Sequence, residues 1–287
     1  MINVILNGSF GNNLFQYAVG KHLAIKNKTT LRLITYKCLN NHEIIGRNGI
    51  TALSSFTIDH VLYAKMTYKS IIMRFCIPLP FFKDKLYYEK EWCFNPEVLT
   101  FKDGACLDGY FQSEKYFKGI EHIIRNNLRF KNDTLGEQGA IYKEQILNLN
   151  SVGLHVRRGD YLTSSLHNVC NMRYYSKSIA YIQDRFESPH FFIFSDDLEW
   201  CRENFHIPHC TFVKIQAAKN NPIIDFQLMS LCKHNIISNS TFSWWAAWLN
   251  DNHEKMVVAP NRWFNDERLN DQALQDTIPS DWIRISF

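Results

Sequence analysis

Between Ser151 and Tyr161 the chain reads Ser151-Val152-Gly153-Leu154-His155-Val156-Arg157-Arg158-Gly159-Asp160-Tyr161. An apolar strand ends here on His155, Arg157, Arg158 and Asp160, all within six residues. In open α/β sheets the carboxyl ends of strands face the ligand crevice. Two guanidiniums there can grip a diphosphate, because each presents paired N–H donors to phosphate oxygens. On a surface loop the same residues would form a local salt bridge to Asp160. The buried strand before them favours the ligand.

Two further strand ends repeat the pattern. Phe191-Phe192-Ile193-Phe194 opens onto Ser195, Asp196 and Asp197. A carboxylate at that position can accept hydrogen bonds from a ribose or a base; alternatively, Ser195 or Asp196 caps the helix that follows. Ile236-Ile237 opens onto Ser238, Asn239, Ser240, Thr241 and Phe242 before an apolar helical run. A helix start lined with hydroxyls and free N–H groups suits phosphate, and simple capping needs only one such residue. The first strand ends on Gly8-Ser9-Phe10-Gly11-Asn12-Asn13. This G-x-x-G turn carries little information by itself, but its place between a strand and a helix points it towards a cleft.

These residues need an α/β framework to hold them. The sequence predicts strand Ile2–Asn7, a helix over 12–27 and a strand over 30–34, which is how a doubly wound unit begins. Residues 40–105 predict irregular connections and short helices around Pro78, Pro80 and Pro96. A helix is expected over 114–128 and a linker over 131–139, with a further helix up to Leu149. A second series then follows, with strands over 151–156, 190–194, 211–214, 235–237 and 255–258 and helices over 174–186, 222–232 and 242–249. Alternation of this kind argues for a parallel sheet. The expected domains are 1–150 and 151–287.

Several function classes drop out. With 46% apolar and 21% charged residues the chain folds rather than staying disordered. A net charge of +4 without basic runs does not describe a nucleic-acid binder, so no nucleic-acid partner is expected. There is no run of about 18 apolar residues to span a membrane. Met1–Asn7 enters a strand without a basic leader, so a cytoplasmic protein with at most peripheral membrane contact is expected. The eight cysteines lack framework spacing and read as thiols. Cys201, His206, His209 and Cys210 lack the paired spacing of zinc ligands, so no metal site is expected. Neither Asp-x-Asp nor G-x-x-x-x-G-K-[ST] occurs, which removes the usual carboxylate pair for a metal-bound diphosphate and the P-loop.

The block His155–Tyr161 resembles the signature shared by α-1,2-, α-1,6- and protein O-fucosyltransferases. Four other blocks are similar to the α-1,2 family in particular: Gly11–Ala18, Gly109–Ser113, Phe194–Asp197 and Ser238–Trp245. The resemblance implies a GT-B-like fold, two Rossmann-type domains facing across a cleft, with an acceptor-side N-terminal domain and a donor-binding C-terminal one. It implies inverting transfer of L-fucose from GDP-fucose to the 2-hydroxyl of a galactoside, free or lipid-linked, in bacterial surface-polysaccharide or O-antigen synthesis, with no cofactor. By the same resemblance Arg157 contacts the pyrophosphate, His155 and Asp196 the guanosine, and Ser240 and Thr241 the phosphates, while Asn12 faces the fucose. Gly11, Arg158, Ser195, Asn239 and Phe242 complete the expected substrate contacts. Asp160 is the candidate base, or else it orients Arg157 or Arg158. The family's Gly-Asn-Gln reads Gly11-Asn12-Asn13 here. Fucosyl transfer in another linkage and a non-catalytic nucleotide- or sugar-binding module are the rival readings.

With no Asp-x-Asp and two arginines at the strand end, sugar transfer should persist in excess chelator. Complete loss, restored by a divalent metal, would contradict this.

Overall fold

The structure, a computed structural model, describes residues 1–37, 44–45, 53–58, 61–67, 86–131, 135–215 and 222–287. The chain divides into two compact units, Met1–Asn132 and Asp133–Phe287. The division falls before the helix Gly136–Asn148, whereas the expected domains were cut after it; that helix packs within the second unit.

The first unit is built on β1 (Ile2–Ile5), whose four residues are all buried. β1 pairs in parallel with β2 (Leu31–Lys37) on one side and β6 (Cys106–Asp108) on the other. β2 also carries the short antiparallel β3 (Ile44–Ile45) and the parallel β4 (Val61–Thr67), and β6 carries the parallel β5 (Leu86–Tyr88). β4 and β5 lie where irregular chain was expected; much of the remainder of 40–105 lies outside the described residues.

Helix α1 (Phe10–Lys26) crosses this sheet closely. Gly20 permits that approach. A Cβ there would sit 2.6 Å from Leu31 Cδ1 and 2.7 Å from Val4 Cγ2. The helix expected over 114–128 is two pieces, a 3-10 turn Glu114–Phe117 and α2 (Glu121–Asn127). Gly119, at φ +90°, breaks it, because a left-handed residue cannot continue a right-handed helix.

The second unit opens with α3 (Gly136–Asn148). Its strands are β7 (Ser151–Val156), β8 (His190–Ser195), β9 (Cys210–Phe212), β10 (His234–Ile236), β11 (Val257–Pro260) and β12 (Ile283–Ile285). Their spatial order is β12-β11-β10-β7-β8-β9, and every pairing is parallel. In chain order within the unit this is the doubly wound dinucleotide-type order, which reverses between β7 and β10. The α/β expectation of Rossmann-type units therefore holds.

Helices α4 (Met172–Gln183), α5 (Leu198–Asn204), α6 (Ile223–Leu231), α7 (Thr241–Leu249) and α8 (Glu267–Asp276) connect or cover the strands. The sequence reading did not anticipate α8 or β12. β7 is buried along its whole length. Val152, Leu154 and Val156 belong to the core cluster with Tyr174, Tyr175, Ile179 and Ile182 of α4. Gly153 and His155 point to the opposite face, where a Cβ on Gly153 would meet Met229 of α6 at 3.3 Å. Among the described residues no helix is long and apolar enough to cross a membrane.

The fit at Gly20 yields a stability prediction. Gly20→Leu should destabilise the first unit by about 2–3 kcal/mol through overpacking, read as a lower urea midpoint. An unchanged midpoint would mean that α1 does not lie as close to β1 and β2 as described.

Candidate functional site

Strand register brings the arginines to the acids. β7 and β8 pair Val156 with Ser195, so the next residues, Arg157 and Asp196, emerge side by side. Asp196 Oδ1 accepts the backbone N–H of Arg158 at 2.9 Å. Its other oxygen pairs with Arg157 Nη1 at 2.8 Å. Asp160 holds the second amino group of Arg157, and the guanidinium lies 5.4 Å from the Tyr161 ring centre. Arg157 is thus fixed between two carboxylates yet stays 34% exposed. Gly159 must be small here, because a Cβ would lie 2.5 Å from Asp196 Oδ2.

Arg158 turns the other way. Its Nε donates to Asp197 Oδ2 at 3.0 Å, and its guanidinium lies 3.7 Å over the Trp200 ring. Asp197 also caps α5 by accepting the Trp200 N–H. The cap is therefore Asp197, not Ser195 or Asp196, because Asp196 is spent on the arginines. Ser195 Oγ accepts the Asp197 N–H at 3.0 Å and shapes the same turn.

The other wall comes from β10, which pairs with β7 in parallel. His155 Nδ1 shares a hydrogen bond with Ser238 Oγ at 2.9 Å. Burial, reinforced by the charge of Arg157, pushes the His155 pKa down to about 3. The ring is therefore uncharged at neutral pH. It lies 5.4 Å from Phe242, which in turn lies 5.4 Å from Phe226 of α6. Asn239 is buried and spends its side chain on loops, with Nδ2 donating to His167 O at 3.0 Å and Trp263 O at 2.9 Å. Its carbonyl accepts the Tyr161 hydroxyl.

Ser240 caps α7 by position but makes no side-chain capping bond. Its hydroxyl and that of Thr241 stay uncommitted beside the first-turn N–H groups, which have no intrahelical partner. His155, Arg157, Asp160, Asp196, Ser240, Thr241 and Phe242 thus lie at the carboxyl ends of three adjacent strands, β8, β7 and β10. Arg158, Ser195 and Asn239 support that surface from behind.

Sequence reasoning missed Asp225, in the first turn of α6. One of its oxygens is buried without a hydrogen-bond partner, and burial raises its pKa to about 6. Its neighbour Phe226 packs on Phe242, so an unspent acceptor lies one residue from the aromatic wall. A carboxylate inside Ile223-Ile224-Asp225-Phe226 was the available signal.

The remaining expected residues belong to the first unit. Gly11 is buried in the first turn of α1. Asn12 Oδ1 accepts Gln112 Nε2 at 3.0 Å. Asn13 is fully buried and donates to Asn7 O at 3.0 Å and Gln16 Oε1 at 2.8 Å. The departure from the family's Gln at this position therefore lies inside the unit. Among the described residues no group of three or more His, Cys, Asp or Glu is gathered to hold a metal ion.

Residues 98–286 match the profile of Glycosyl transferase family 11. The chain is 32% identical to an alpha-1,2-colitosyltransferase of Escherichia coli, over 98% of this chain and 97% of that one. It is 34% identical to the O-antigen biosynthesis glycosyltransferase WbnK of Escherichia coli, over 90% and 93% respectively. Half of it is 30% identical to 42% of galactoside alpha-(1,2)-fucosyltransferase 1 of Lagothrix lagotricha. With a profile that covers both walls of the second-unit site and relatives matched nearly end to end, the chain belongs to glycosyl transferase family 11.

Proposed function

We propose that this glycosyltransferase transfers L-fucose from GDP-β-L-fucose to the 2-hydroxyl of a terminal galactoside, with inversion, in the assembly of a bacterial surface polysaccharide. The observation that carries the reading is Arg157, fixed by Asp196 across from a helix start whose hydroxyls are uncommitted. As GDP departs, negative charge grows on the β-phosphate. Fixed N–H donors and a helix start meet that charge without reorganising. Asp160 is 69% exposed, so its hold on Arg157 is worth about 1 kcal/mol or less and yields to a phosphate. Asp196 stays behind as the anchor. The placement of Asp160 on Arg157 supports the orienting role over that of base. His155, uncharged, Phe242 and Asp225 suit the flat, donor-bearing guanine. The galactoside, free or lipid-linked, falls to the first unit, and the cell compartment is the cytoplasm or its membrane surface.

The near full-length match to a colitosyltransferase favours a second donor reading. Colitose is fucose without its 3-hydroxyl, so one site shape can take either sugar. Purified protein is offered GDP-fucose and GDP-colitose separately with a panel of galactosides, and the product linkage is read by NMR. An α-1,2 fucosylated product confirms the first reading, an α-1,2 colitosylated product alone the second, and another linkage overturns both.

Arg157→Lys should lose a few hundredfold to a thousandfold in turnover, about 3–4 kcal/mol, although charge is conserved. An ammonium cannot reproduce the guanidinium fork held by Asp196. GDP affinity should change far less, because the charge that Arg157 meets grows during departure. Near-normal turnover of Arg157→Lys and Arg157→Ala would make this arginine structural.

A further inference from the structure

The first unit repeats, with different residues, the device that shapes the donor turn. Its last strand, β6, lies directly beside its first, β1. Asn7 and Asp108 close that point with a hydrogen bond of 2.6 Å. Beyond it runs the turn Gly109–Gln112. In the second unit, Asp196 follows Ser195, the register partner of Val156, and takes a main-chain N–H of the turn after β7. In the first unit, Glu89 follows Tyr88, the register partner of Asp108. Its carboxylate accepts the N–H groups of Tyr110 at 2.6 Å and Phe111 at 3.0 Å. Each turn has a glycine where a Cβ would strike the acid: Gly159 against Asp196, and Gly109 at 2.4 Å from Glu89 Cβ.

Glu89 holds a backbone that would not rest in this shape by itself. Phe111 sits at φ +54°, a left-handed conformation that bulky residues rarely adopt, and its side chain is fully buried. The next residue, Gln112, donates to Asn12 Oδ1. Glu89 therefore acts on Asn12 through two steps, the Phe111 turn and Gln112.

We propose that Glu89 is a positioning residue for sugar transfer, its ionised carboxylate locking the Tyr110–Phe111 backbone so that Gln112 fixes Asn12. This rests on the fucosyl- or colitosyltransferase reading above, with Asn12 facing the sugar. The carboxylate is half-buried among Asp108, Tyr87, Tyr110 and Tyr116, and burial raises its pKa to about 7, with Asp108 adding a smaller push. Protonation removes the charge that strengthens both N–H bonds, so the lock loosens as pH falls through that value.

Steady-state kinetics from pH 5.5 to 8.5 test this on the full chain. Wild type should show an acid limb with a midpoint of about 7, and Glu89→Gln should lack it. At pH 8 Glu89→Gln should lose about tenfold in acceptor kcat/KM and Glu89→Ala about a hundredfold, the cost of weakening or removing hydrogen bonds to a charged group. GDP affinity should stay unchanged in both. Gln112→Ala cuts the chain below the turn and should reproduce the loss and, because Glu89 then no longer reaches Asn12, should lack the acid limb as well; it keeps the test open if Glu89→Ala does not fold. An acid limb retained in Glu89→Gln, normal kcat/KM in Gln112→Ala, or GDP affinity falling in step with rate would each overturn the proposal. Wild-type transfer with normal Glu89 variants removes this inference alone, whereas a wild type that transfers neither sugar removes the parent reading with it.

Discussion

The second-unit site depends on one carboxylate. Asp196 projects from the end of β8 and holds the neighbouring strand end twice, once through the Arg158 N–H and once through the Arg157 guanidinium. The first bond sets the backbone course after β7, and the second aims the side chain that the backbone delivers. Gly159 follows from this closeness, as does the outward turn of Arg158 onto Asp197 and Trp200. Bonds to a charged acceptor are roughly twice as strong as neutral ones, so a single residue can impose the shape.

Parallel pairing makes such a device available. Strands in register reach the sheet edge together, and the residues one step beyond them come out as neighbours. The Arg157–Asp196 contact arises in this way; in the first unit Asn7, two residues past β1, reaches back to Asp108, the last residue of β6. Ser238, two residues past β10, likewise reaches back to His155 inside β7.

Much of this was legible in the sequence, and for physical reasons. β7 was found at its full length because both its faces are buried, which leaves a run of small and apolar residues broken only by His155. The three strand-end clusters stood out because polar residues crowd where the apolar strands end. The roles inside each cluster were not legible. Nothing in Ser195-Asp196-Asp197 tells which acid caps α5; that depends on Arg157 and Arg158 arriving from another strand. Likewise Ser238-Asn239-Ser240-Thr241 looks uniform, yet Asn239 is spent on His167 and Trp263 while Ser240 is not. Helix α8 escaped because its apolar positions are few and Asp266, its cap, lies in a polar stretch. The helix over 114–128 was overextended because a glycine at φ +90° is indistinguishable in sequence from a tolerated helical glycine.

The two carboxylate devices differ in what surrounds them. Asp196 has a guanidinium beside it, so its charge is compensated and the cation remains partly exposed to a ligand. A diphosphate needs that cation. Glu89 has Asp108 as its charged neighbour, of the same sign, and accepts only main-chain N–H groups. Two acids of like sign side by side disfavour a further anion beside them. The two acids thus share a position, each one residue beyond a paired strand, and differ in the charge of the neighbour that each one meets.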